Sequence, residues 1–196
     1  MSATALGMVT TALQARLQQA LADAHYAGTV FIGPLDDPDA QGAALVLFLY
    51  RMTPNSSLRN TAHRVAPALP GNPPLVYTNA LPLDLHYLVT VGTMRYPSEA
   101  PLLTVLGHAI RALNTEPVLA GPVVGQELVR VSMEPLATEE MSRIWALFPT
   151  VNYRTSVGYI ASPVWIDPAH TDEPARAVLH DAPHVGQLRQ AEGNVS

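Results

Sequence analysis

Residues Leu83–Val91 read LDLHYLVTV, and this stretch decides the fold. Leu83, Leu85, Tyr87, Val89 and Val91 fall on one side, and Asp84, His86, Leu88 and Thr90 on the other. A period of two predicts a β-strand with a buried face. Upstream, Ala43–Arg51 (AALVLFLYR) is a continuous apolar run of strand length, which suits a strand buried on both faces. Thr29–Ile32 is a short strand candidate. Downstream, Glu127–Glu134 (ELVRVSME) alternates again, with Val129, Val131 and Met133 on one face. Residues 153–166 (YRTSVGYIASPVWI) predict another strand. Pro163 has no N–H to give to a ladder, so this strand is expected at an edge or a bulge.

Three segments carry the helical period instead. In residues 2–25, Leu6, Val9, Leu13, Leu17, Leu21 and Ala24 recur at three- and four-residue steps, and Gly28 follows as a stop. In Ser98–Leu113, Ser98 is the expected cap, Pro101 fits the first turn, and Leu103, Leu106, Ile110 and Leu113 form the expected core stripe. Thr138 is expected to cap a short third helix. Its first turn holds Glu139 and Glu140, favourable at the positive end of the dipole, and its stripe is Met141, Ile144, Trp145 and Phe148.

Between these lie a turn-rich acidic loop from Gly33 to Gly42 and a long Pro-, Asn- and Ser-rich loop over 52–74. From Asp167 the chain turns to Pro, His and small or charged residues, so 167–196 is expected to be an extended or disordered arm after a domain of 1–166. The order of elements predicts an α+β fold. Its sheet is mixed or antiparallel, with the N-terminal helix and further helices packed on one face, and the C-terminal arm extends from it.

A chain of 196 residues, 48% apolar, is long enough for one domain with a real core. Only 14% of it is charged, against an average of about 25%, which points to surface covered by other protein. The net charge of −5 argues against nucleic acid or an anionic membrane as the partner. All eleven basic residues are Arg, which suits interfaces better than Lys because its planar fork is less strongly hydrated. Without Cys there is no disulfide, thiolate zinc site or Cys nucleophile. The N-terminal segment lacks a basic region before its apolar residues, and no stretch approaches 18 uninterrupted apolar residues. The chain is therefore expected in the cytoplasm, or outside it only as part of something larger.

Candidate chemistry is sparse. Asp84 and His86 sit two apart on one strand face and could hold a metal or pass a proton, but a metal needs three or four ligands. The plainer reading is a hydrogen-bonded polar pair. His180, Asp181 and His184, with His170, have ligand-like spacing but no helix to fix it, so composition explains them better. Gly121–Gly125 (GPVVG) superficially suggests a phosphate loop, but no Lys or Ser/Thr follows in the required arrangement. Asn55-Ser56-Ser57 matches a glycosylation acceptor, which has no meaning without a secretory signal. Arg51, Arg59 and Arg64 surround the long loop with little aromatic interleaving, so an interface role fits them better than nucleic acid.

Taken in order, the N-terminal helix, the apolar strand ending near Tyr50–Arg51, LPLDLHYLVT at Leu81–Thr90, LGHAIRALNTEPVLAG at Leu106–Gly121, VRVSMEPLATEEMSRIWALF at Val129–Phe148 and YRTSVGYIASPVWID at Tyr153–Asp167 form a pattern. It resembles the tail-terminator, or cap, family of extracellular contractile injection systems of the antifeeding-prophage type. The resemblance covers roughly residues 5–167 and not the arm. It implies a homo-hexameric ring at the baseplate-distal end of a particle, which meets the sheath protein and the inner-tube protein and ends their polymerisation. It implies no enzymatic activity and no cofactor.

Strand addition is one way to meet a polymer end, and the expected edge strand 153–166 with the arm is the candidate for it. The candidate contact residues to subunits, sheath or tube are Arg51, Arg59, Asp84, His86, Arg154, Tyr159 and Trp165. Two other readings stand beside the cap: a baseplate or tube-adaptor subunit of the same machine, and a small metal-dependent hydrolase using Asp84, His86 and the arm histidines.

Overall fold

The computed structural model of the chain describes residues 3–65, 74–95 and 98–169. Helix α1 spans Ala5–Asp23. Strands β1 (Val30–Ile32) and β2 (Leu45–Pro54) follow, then two short strands, β3 (His63–Val65) and β4 (Leu75–Tyr77). Strand β5 is Leu81–Val91, helix α2 is Ala100–Thr115, and β6 is Val118–Gly121. The described chain ends with β7 (Glu127–Glu134), α3 (Thr138–Ala146) and β8 (Ser156–Ile166).

Six strands form one sheet in the order β1-β2-β5-β8-β7-β6, and β3 pairs with β4 in a separate ribbon. Only the β1–β2 pair of the large sheet is parallel. The α+β class with a mixed sheet is as the sequence pattern predicts.

Alternation along β5 sorts the core as expected. Leu85, Tyr87, Val89 and Val91 join Leu45 and Leu47 beneath α1 and α2, whereas Leu88 joins Val46 on the opposite face. There it meets Ile144 and Trp145 of α3 and, just beyond that helix, Phe148. The helices therefore cover both faces of the sheet, not one: α3 lies opposite α1 and α2. Val9, Leu13, Leu17 and Leu21 of α1 are at most 1% exposed, as their helical spacing predicts. The sheet curls so far that α1 packs against β1 at one end, β8 in the middle and β6 at the other end. The turn from α1 into β1 needs Gly28. Its φ is +112°, and a Cβ there would lie 2.9 Å from the Cβ of Ala44.

Several local expectations are corrected. Strand β8 lies between β5 and β7 and not at an edge, and of the two alternatives for Pro163 the bulge holds. Pro163 is tolerated because the β5–β8 register shifts between Leu83 and Leu85, and because the β7 ladder reaches only to Ser162. Neither Ser98 nor Thr138 caps its helix: Glu99 and Ala137 take the cap positions, without a side-chain cap bond. On α2 the expected stripe holds at Leu106 and Leu113, with Ile110 packed against the core, and fails at Leu103. Val105, Leu106, Ala109 and Leu113 are buried, and Leu103 is 46% exposed. On β7, Val129 and Val131 are buried but Met133 is exposed. The loop expected over 52–74 gives up its first residues to β2 and three more to β3. Strand β6 has no counterpart among the expected elements.

Candidate functional site

The polar side chains gather around His86, Asp84 and His63, and the first two of these clusters sit at irregularities in the sheet. The β2–β5 register shifts between Leu49 and Arg51, so Tyr50 is an extra residue and both Tyr50 and Arg51 lie opposite His86. Glu134 of β7 reaches the same place across β8. Gly158 lets the strands approach there: a Cβ at that position would lie 2.9 Å from both the Glu134 carbonyl oxygen and the Leu136 side chain.

Both Glu134 carboxylate oxygens lie 2.9 Å from His86 Nδ1, and His86 Nε2 is 2.9 Å from Thr53 Oγ1. The Arg51 guanidinium donates to Glu134 and to Glu140, each at 3.2 Å, and so ties β2 to β7 and α3. The Tyr50 hydroxyl donates to Glu134 Oε2 at 3.1 Å. Burial first, and then the negative charge of Glu134, push the Tyr50 phenol well above its usual range.

Glu134, His86 and Thr53 stand in the order of a general-base relay. The ring is nevertheless only 5% exposed, and Arg51, Thr53 and Glu134 all lie against it. The cluster is built as a clamp across four strands and a helix.

Asp84 does not pair with His86. At the β5–β8 bulge its Oδ1 accepts from Ser162 Oγ at 2.5 Å and from Asn55 Nδ2 at 2.9 Å. Asn55 also receives the Leu58 N–H on its side-chain oxygen and donates its own N–H to the Pro82 carbonyl, which fixes the turn after β2.

The third cluster was not foreseen, because it joins residues 104 apart. His63 on β3 is 4% exposed. Its Nδ1 lies 2.6 Å from Asp167 Oδ1 and its Nε2 3.1 Å from Glu127 Oε2. Its ring stacks on Trp165 at 4.6 Å and 8°, and Tyr77 of β4 stacks at 6.1 Å. This imidazole ties the β3–β4 ribbon to β7, to β8 and to Asp167 just beyond it.

The other expected contact residues are placed as follows. Tyr159 and Trp165 are buried, at 1% and 7% exposed, so they lie inside the chain and not on its free surface. Arg154 is half-buried and donates to the Gly92 carbonyl. Arg59 and Arg64 are exposed. The candidate ligands His180, Asp181 and His184, and His170, lie outside the described residues. Among the described residues no group of three or more His, Asp or Glu is arranged to hold a metal ion, and no helix is long and apolar enough to cross a membrane.

The surface offers concave apolar ground instead. A hollow of about 480 Å³ beside α3 is lined by Leu136, Met141, Trp145 and Tyr153, with Tyr153 63% exposed. A groove of about 450 Å³ between α1 and α2 is floored by Ala12, Ala15 and Ala112.

The described chain is a curled α+β sheet whose buried histidines are held in internal clamps and whose surface is concave and apolar in places. The chain belongs to the Pvc16 N-terminal domain family, whose sequence profile matches residues 8–180. Among solved structures it is similar to the sheath/tube terminator of PVC, an extracellular contractile injection system, in its extended state. There the TM-score is 0.56 at 18% identity, over 94% of this chain and 64% of that one. It is also similar to the tube-terminating cap of the anti-feeding prophage, with a TM-score of 0.59 at 18% identity, over 89% of this chain and 60% of that one. The shared feature is the fold, and the chain spans less than two thirds of either protein's length. No curated protein matches it. The resemblance read from the sequence is thereby shown.

Proposed function

We propose that this chain is a structural cap of a contractile injection system. Copies form a hexameric ring that closes the inner tube and the last sheath ring at the baseplate-distal end and stops their polymerisation. The carrying observation is the family match over residues 8–180 together with the fold shared with two terminators. The clamps support a non-enzymatic reading, since His86 and His63 are each held on both ring nitrogens by neighbouring side chains. In this reading the chain is made in the cytoplasm and leaves the cell only within a particle released on lysis.

A ring of identical copies requires a heterologous interface that closes on itself. The test is the mass of the purified chain by sedimentation, with particle length after deletion of its gene. A species near six times 21.0 kDa, and particles of uncontrolled length without the chain, are the expected results. A strict monomer that leaves particle length unchanged when deleted would overturn the reading.

A further inference from the structure

The two ends of a sheet are where a neighbouring chain adds a strand. In this sheet one helix reaches both. At the β1 end, the Leu45 N–H donates to the Thr29 carbonyl and the Gly33 N–H to the Leu47 carbonyl, so the odd-numbered residues bond to β2. Parity turns the N–H and C=O of Val30 outward. Both are taken by α1: the Val30 N–H donates to Gln18 Oε1 at 2.9 Å, and Gln14 Nε2 donates to the Val30 carbonyl at 2.7 Å. Gln18 Nε2 also donates to the Gly28 carbonyl at 3.0 Å.

At the β6 end, the Val131 N–H donates to the Pro117 carbonyl, which turns Val118 outward. The Arg16 guanidinium donates to the Val118 carbonyl at 3.1 Å and to that of Glu116. Just beyond, Pro122 follows Gly121 and ends the strand.

The same parity turns Ile32 on β1 and Ala120 on β6 outward, and a longer stretch of edge is open on β2. Strand β1 pairs only with Leu45–Leu47, so β2 runs on alone. That overhang carries the Tyr50 bulge and ends in Pro54, two devices that spoil an edge for pairing. The β3–β4 ribbon is three residues long.

We propose that α1 is the sealing element of this fold. Gln14, Gln18 and Arg16 occupy both outward groups of Val30 and the outward carbonyl of Val118. Each terminal strand is left with one further outward residue, Ile32 or Ala120, too short a stretch for a neighbouring chain to extend the sheet. This replaces strand addition at 153–166, which the interior position of β8 forbids. The geometry stands by itself; its purpose, a subunit that cannot be continued, rests on the cap reading.

The test uses the full chain with Gln14→Leu and Gln18→Leu together, and Gln19→Leu as control, since Gln19 bonds to Asp23 and not to β1. Amide exchange at Val30 and sedimentation over a range of concentrations are read against the parent protein. In the double variant, Val30 should exchange about tenfold faster, and species larger than the parent's should grow with concentration and show intermolecular β-structure. Gln19→Leu should behave like the parent. Unchanged exchange at Val30, or faster exchange with no new association, overturns the proposal. Should the double variant not fold, Arg16→Met tests the β6 edge by the same sedimentation readout. Because every comparison is with the parent's own mass, failure of the hexamer and failure of the seal give different results.

Discussion

The Tyr87 hydroxyl lies 2.8 Å from Thr10 Oγ1, and this contact ties the second face-setting residue of β5 to α1 across 77 residues of chain. Thr10 Oγ1 in turn donates to the Leu6 carbonyl at 2.7 Å. A threonine has one hydroxyl proton, so Tyr87 is the donor of the pair. Tyr87 has no exposed surface. Thr10→Val removes the acceptor and leaves a buried hydroxyl without a partner, which should cost about 1–3 kcal/mol in urea unfolding. Adding Tyr87→Phe removes the stranded group, so the double variant should be more stable than Thr10→Val alone. A double variant that is less stable would show that the bond contributes less than the packing around it.

Alkaline stability follows from the same tyrosine. Burial raises the Tyr87 phenol to about 12. Burial also raises Tyr159, and Tyr50 is raised by burial and by Glu134. An unfolded phenol ionises near 10, so between roughly pH 10 and 12 the unfolded state loses the proton first. The contribution of Tyr87 is therefore complete below pH 10 and falls as pH rises, by about 1.4 kcal/mol per unit. Phenolate absorbance should rise in two stages, the later one coincident with loss of circular dichroism. A single early stage before unfolding would contradict the burial argument.

Glu134 is the hub of the His86 clamp, and Arg51 is its outer arm. The Glu134 side chain is 17% exposed and that of Arg51 is 42% exposed. Glu134→Gln keeps the shape but removes the charge that His86, Arg51 and Tyr50 all face, and should cost about 2 kcal/mol. Arg51→Met gives up ion pairs already screened by water and should cost about 1 kcal/mol or less. Urea midpoints of the two variants give the order. If Arg51→Met is the more damaging, the clamp depends on the link to Glu140 and not on His86.

The strands with a buried face were legible because a period of two survives in Leu83–Val91 and Glu127–Glu134. The third helix was legible from Ile144, Trp145 and Phe148. Strand β6 was not. Its four residues lie between Pro117 and Pro122 and are too few to show a period. Strands β3 and β4 are shorter still and hang on His63, whose partners Glu127 and Asp167 are remote in sequence. Asp84 and His86 were correctly placed on one face, but each takes partners from a different bulge, and bulges leave no mark in an apolar pattern. The position of β8 was misread because Pro163 excludes a regular ladder, not an interior strand.

On α2 only Leu103 of the expected stripe lies outside the core, and that difference can be measured. Leu103, Leu106, Ile110 and Leu113 are the large residues at helical spacing, yet the buried set is Val105, Leu106, Ala109 and Leu113. Helix α2 packs against α1, and the small Ala109 is 1% exposed. Size is therefore a poor guide to which side faces inward. Val105→Ala removes methyl groups from a site with no exposed surface and should cost about 2 kcal/mol. Leu103→Ala removes more atoms from a site 46% exposed and should change stability by no more than about 0.5 kcal/mol. Thermal or urea unfolding of the two variants decides it. The larger loss at Leu103 would mean that α2 presents to the core the face its leucines suggest.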